Sequence, residues 1–182
     1  MKKKIFIYAL FILLITLIQT NIIDAISILG VKPNLLIVFV IVVGLTNGSQ
    51  TGTIVGFMVG LVMDSYSPTP VGVYALMGMY LGLVSGISNR SFFRDNYILT
   101  MVFVFLYTLA FETVIFIFVL SAEYWQQGIG SVFINLLYSY KNFILLEAAY
   151  NMPFAIVLHL LSFRFLVGLD KGGRRLKYRR GY

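Results

Sequence analysis

Three carboxylates stand within or at the end of long apolar stretches, and they are the residues best suited to chemistry. Asp64 ends the run GTIVGFMVGLVMD, and Glu112 and Glu147 lie inside two later apolar runs. Two such carboxyl groups could perform acid–base chemistry. The sequence shows no metal-ligand motif, activated nucleophile or phosphate-binding glycine loop beside them. We therefore expect that the protein is not an enzyme and that it has no metal site and no cofactor.

Two asparagines and the three carboxylates fall in the outer half or at the outer edge of the membrane when the apolar runs are drawn as helices. At a rise of about 1.5 Å per residue, Asn151 lies roughly 13 Å and Glu147 roughly 8 Å from the outer end of the last run, and Glu112 roughly 22 Å from the inner end of its run. Asn34 and Asp64 lie at the outer edge. Because a charge at mid-bilayer costs about 2.5–3.5 kcal/mol, such groups normally face the bundle interior or water. These five residues are our candidates for a partner contact or a pocket.

Asp64 has two interpretations that the sequence leaves open. A carboxylate at a helix C-terminus opposes the helix macrodipole, so its position needs a reason. It can cap the following helix, whose N-cap and first residue we expect at Thr69 and Pro70. It can instead contact a partner subunit.

The composition excludes an ordinary soluble domain. Of 182 residues, 59% are hydrophobic and 12% are charged, whereas soluble domains carry about a quarter charged residues. The segment Tyr97–Ser121 contains one charge, and about 20 apolar residues suffice to cross a bilayer. The absence of cysteine excludes disulfides and thiolate metal sites, and the single histidine argues against a metal centre. We expect a single-domain, all-α integral membrane protein.

Six apolar segments predict a bundle of six transmembrane helices. They cover residues 5–20, 33–45, 49–66, 71–87, 97–121 and 142–168, and a basic tail follows at 169–182. Placing both termini in the cytoplasm puts every lysine and arginine except Lys32 and Lys141 on the inner side, as the positive-inside rule requires. The lysine-rich start also resembles a signal peptide, but no A-x-A-like site follows it, so we favour an uncleaved span.

Two segments outside these spans have their own patterns. Ile129–Tyr140 carries apolar side chains at helical spacing, which predicts an amphipathic helix on the outer membrane surface between the fifth and sixth spans. The basic tail indicates contact with anionic lipid rather than with nucleic acid.

Glycines recur every fourth residue in the third and fourth spans. Small residues at this spacing let helix backbones approach closely inside a membrane. Because only SYSPTP separates the two spans, they must be antiparallel neighbours. We expect their glycine faces to meet each other, or one face to meet a partner. The glycines are Gly52, Gly56, Gly60, Gly78, Gly82 and Gly86.

The segment from Lys32 to Ile87 resembles the rod shape-determining MreD family. It has a P-[ND]-L-L start at Pro33, a G-x-x-x-G-x-x-x-D helix ending at Asp64, and a Pro-Xaa-Gly turn at Pro70. The resemblance implies a multi-pass scaffold in the bacterial inner membrane that maintains rod shape and helps to organise peptidoglycan synthesis. It also implies an MreC-like bitopic partner and, indirectly, MreB-like filaments and peptidoglycan synthases. Self-association into a homo-oligomer is left open.

An alternative function follows from architecture. The family also resembles the substrate-capture (S) subunits of energy-coupling-factor vitamin transporters, which implies a small-molecule pocket open to the outside. Those subunits usually carry an A-x-x-x-A-like contact in the first span. Here that span contains one alanine, Ala9, so the scaffold is the better interpretation.

Overall fold

The computed structural model describes residues 2–21, 27, 30–67, 70–88, 96–127, 138 and 143–162. These residues form six helices and no strand, which confirms the all-α prediction. The helices are α1 (Lys2–Asn21), α2 (Leu35–Asn47), α3 (Ser49–Asp64), α4 (Val73–Ile87), α5 (Tyr97–Gln127) and α6 (Leu145–Leu161). The predicted surface helix at 129–140, apart from residue 138, and the basic tail lie outside the described residues.

One of the described helices is long and apolar enough to cross a membrane by length and composition alone. It is the segment Tyr97–Val119 of α5. Four shorter apolar helical segments accompany it, within α1, α2, α4 and α6. α5 continues six residues beyond the predicted boundary, to Gln127.

The prediction that Pro70 is the first residue of α4 is wrong. Pro70 is not helical, and α4 begins at Val73 after Gly72. Gly72 has a φ of 101°, a left-handed conformation that glycine adopts at no steric cost. The right-handed helix therefore cannot begin before this residue.

α2 is the centre of the bundle. Its sequence, LLIVFVIVVGLTN, is apolar almost all round, as expected of a helix with no solvent-facing side. Every residue from Leu36 to Leu45 for which an exposure is given is 0–1% exposed. Each of the other five helices contacts α2. The core therefore forms around one short, fully enclosed helix.

α3 and α4 pack backbone to backbone along their glycines. Gly52 lies against Gly82, and Gly56 lies against Gly78. A Cβ atom added at Gly78 would lie 2.5 Å from the carbonyl oxygen of Gly56, closer than side chains can approach backbone. The two remaining pairs are Gly60 with Tyr74 and Ala75, and Gly86 with Ser49. The two glycine stripes therefore face each other within this chain.

Large apolar side chains point outward from the bundle. Leu13 of α1, Tyr80 of α4 and Leu106 of α5 are each more than half exposed. Polar side chains such as Ser85 and Thr108 are fully buried. The bundle thus has apolar side chains on its outer surface and polar side chains in its interior. This arrangement is expected in lipid, where a polar group without a hydrogen-bond partner is costly.

Candidate functional site

Polar side chains converge on the start of α2. The first N–H groups of a helix have no partner within the helix, so other groups must accept their hydrogen bonds. The side-chain oxygen of Asn34, the N-cap, accepts from the Ile37 N–H at 3.3 Å. The Leu35 N–H donates to Gln19 Oε1 at 2.9 Å. The Asn34 N–H donates to Asn151 Oδ1 at 2.7 Å, so α1, α2 and α6 meet here.

Asn151 connects three helices through one amide. Its Oδ1 accepts from the backbone of Asn34, and its Nδ2 donates to Thr108 Oγ1 of α5 at 3.4 Å. The side chain is 0% exposed. A buried amide with both ends bonded fixes the relative positions of the helices that it joins.

Glu112 and Glu147 form a pair between α5 and α6. Their carboxyl groups lie close enough to each other to interact, and the Asn34 side chain lies beside Glu147. Both residues are half-buried. Four of the five candidates, Asn34, Glu112, Glu147 and Asn151, thus form one connected cluster, which we call the α2-start cluster.

Asp64 is bound to a different helix start. Its Oδ1 accepts from the Tyr74 N–H and its Oδ2 from the Ala75 N–H, both at 3.0 Å. The side chain is 6% exposed. The geometry is that of a cap on α4, supplied by the last residue of α3. The prediction placed the start of the capped helix at Thr69 and Pro70. The N–H groups that Asp64 binds lie instead beyond Gly72.

Sequence reasoning missed residues that complete the site. Thr108 accepts a hydrogen bond from Asn151 of the α2-start cluster. Gln19 accepts one from the Leu35 N–H in the backbone beside the cluster. The Tyr74 N–H donates to Asp64, and the Tyr74 ring packs on that of Phe111, the residue before Glu112, at 6.2 Å between centroids. Gln19 could have been noticed as the first amide in an otherwise apolar helix, but Thr108 and Tyr74 carry no such signal.

The opposite half of α5 and α6 is joined by a hydrogen bond between Thr100 and His159. The Oγ1 of Thr100 lies 3.2 Å from His159 Nδ1, and both side chains are buried. His159 is therefore a packed, hydrogen-bonded residue, as expected from its apolar surroundings. Within the described part of the chain, no group of three or more His, Cys, Asp or Glu side chains is placed to hold a metal ion.

A comparison with models of protein families shows the family to which this chain belongs. The model of the rod shape-determining protein MreD matches residues 1–167 of the 182. The chain belongs to the MreD family. The match extends well beyond the segment that carries the resemblance and includes all six helices, the α2-start cluster and the α3–α4 glycine contact. MreD proteins are membrane proteins with a role in rod-shape determination. Neither a curated protein nor a solved structure matches the chain.

Proposed function

We propose that this MreD-family protein is a non-enzymatic scaffold of the bacterial cell-elongation machinery. In this role it binds an MreC-like bitopic protein and, through it, MreB-like filaments and peptidoglycan synthases. The observation that carries the proposal is the family match over residues 1–167. The proposed location is the inner membrane, with six spans and both termini in the cytoplasm, which the distribution of basic residues supports.

The candidate residues form hydrogen bonds within this chain. This supports a scaffold whose fold these residues stabilise. Asn151 and Asp64 are nearly inaccessible, and the bonds of both go to backbone or side-chain groups of this chain. A partner that docks on the folded bundle therefore meets outward apolar faces, such as those carrying Phe57 and Leu106, before it meets these polar groups. In this proposal the polar groups set the positions of the helices and thereby the shape of the docking faces.

Co-purification tests the proposed partner. The tagged chain is extracted in mild detergent from membranes that also contain the MreC-like protein of the same genome, and an unrelated six-helix membrane protein serves as the control. We expect the MreC-like protein to be retained by the chain and not by the control. Retention of a small vitamin without any MreC-like protein would contradict the proposal and favour a transporter subunit.

A further inference from the structure

α1 packs on the bundle through side chains rather than through backbone contact. Tyr8, Ile12 and Ile15 are buried, and the ring of Phe11 stacks on that of Phe39 of α2 at 6.2 Å between centroids. In lipid there is no hydrophobic force between helices, so such a seam is held by packing and polar contacts alone. α1 lacks the close backbone approach that joins α3 to α4, and its contact is correspondingly easier to separate.

Hydrogen bonds fasten α1 near both of its ends. The Gln19 amide accepts from the Leu35 N–H at 2.9 Å and donates to the Pro33 carbonyl oxygen at 3.0 Å, so one side chain satisfies two backbone groups at the start of α2. Toward the other end, Asn47 Nδ2 donates to the Tyr8 hydroxyl at 3.1 Å. Tyr8 and Gln19 are eleven positions apart, which corresponds to about 16 Å along a helix.

The two fastenings differ in their access to water. Tyr8 is 7% exposed, so water has little access to the hydroxyl side of its contact with the half-buried Asn47. Gln19 is half-buried, and the next residue, Thr20, is exposed. Water can therefore replace the bonds of Gln19 when the helix separates there, which lowers the cost of breaking them.

We propose that α1 is a hinged strap, with Gln19 as its latch and the Tyr8–Asn47 contact as its pivot. When the latch is closed, Gln19 covers the backbone next to Asn34 and limits the access of water to the α2-start cluster. When it opens, the Leu35 N–H and the Pro33 carbonyl become free, and the path to Asn34 is uncovered. The inference is independent of the proposed partner, because it rests on contacts within this chain.

Thiol labelling tests the strap, since the native chain contains no cysteine. Ile15→Cys reports on the latch end, one turn from Gln19, and Ile12→Cys reports on the pivot end, one turn from Tyr8; both native side chains are at most 5% exposed. Each is placed in nanodiscs with the native Gln19, with Gln19→Leu, or with the control Thr20→Val. Thr20 is exposed and bonds to carbonyl groups of its own helix, so the control leaves the latch intact. The probe is a small, charged methanethiosulfonate reagent.

Loss of the latch should raise the labelling rate at Ile15→Cys about tenfold, as expected from the loss of two hydrogen bonds of ordinary strength. The rate at Ile12→Cys should change by less than about twofold, since the pivot is retained. Gln19→Glu, which retains the acceptor for Leu35 and loses the donor for Pro33, should give an intermediate rate at Ile15→Cys. It also provides a second variant if Gln19→Leu does not fold.

Two outcomes would overturn the proposal. Unchanged labelling of Ile15→Cys in folded protein carrying either Gln19 variant would show that Gln19 does not hold the helix end. Equal gains at Ile12→Cys and Ile15→Cys would show that α1 leaves the bundle as a whole, so that it is not a strap with a pivot.

Discussion

Gly56→Leu is the substitution that most severely tests the close contact between α3 and α4. A Cβ atom at Gly56 would lie against the carbonyl oxygen of Gly78, 2.7 Å from its carbonyl carbon and 3.2 Å from Val40 Cγ1 of α2. Ordinary contact with a Cβ begins at 3.4 Å. A methyl group alone therefore requires α3 and α4 to separate by more than about 0.7 Å, because the carbonyl oxygen is closer still than the carbonyl carbon, and the remaining atoms of leucine require more.

The expected cost follows from this geometry. Overpacking costs about 1–3 kcal/mol, and replacing a helical glycine with alanine returns at most about 1 kcal/mol. We expect Gly56→Ala to cost about 1 kcal/mol and Gly56→Leu about 3 kcal/mol. At about 2–4 °C per kcal/mol, Gly56→Leu should lower the apparent Tm by about 6–12 °C.

These shifts in Tm are measured by heating the protein in detergent and monitoring the folded fraction by size-exclusion chromatography with fluorescence detection. The control is Ile54→Leu, a change at a 51%-exposed position on the same helix, which should move the Tm by no more than about 2 °C. If Gly56→Leu is folded and melts within 2 °C of the control, the helices do not pack as closely as described. If Gly56→Ala is more destabilising than Gly56→Leu, the ordering by volume is wrong.

Two further predictions concern the cap of α4 and the orientation of the chain. Asp64→Asn should lower the free energy of unfolding by about 0.5–2 kcal/mol, because an amide has one acceptor oxygen for the two N–H groups that Asp64 now satisfies. The measurement is the same thermal assay; an unchanged Tm together with loss of an MreC-like partner would instead make Asp64 an interface residue. With both termini in the cytoplasm, Ser67→Cys should react with an impermeant reagent outside intact cells and Lys177→Cys should not. Reaction at residue 177 from outside would refute the orientation.

The helices and the glycine contact were predictable from the sequence because their signals are local. Apolar runs long enough for a helix gave the start of each described helix to within three residues, and the four-residue spacing from Gly52 onward indicated the packing face. Gly44 of α2 was missed, although an added Cβ there would meet Ser85 and the backbone of α4. Gly44 and Gly48 extend the four-residue spacing of Gly52, but Gly44 lies in α2, so the spacing crosses from one helix to the next and does not by itself mark a single packing face.

The α2-start cluster was predictable in its members but not in its bonds. Depth along the apolar runs placed Glu112, Glu147 and Asn151 in the outer half of the membrane and Asn34 at its outer edge. The bond between Asn34 and Asn151 spans 117 positions, however, and depends on the order in which the helices pack. Asp64 differs because its partners are ten and eleven positions away, across a single turn, so capping could be proposed from the local sequence.

Cell shape during depletion of this protein tests the central claim most directly. The bacterium that encodes the chain is grown with the gene under a repressible promoter, and cell width and length are measured while growth continues in vitamin-supplemented medium. A scaffold of the elongation machinery predicts that cells become round and swollen, and that re-expression of the wild-type chain restores rods. Rods of normal width after depletion, together with failed uptake of one vitamin when the supplement is withdrawn, would contradict the account.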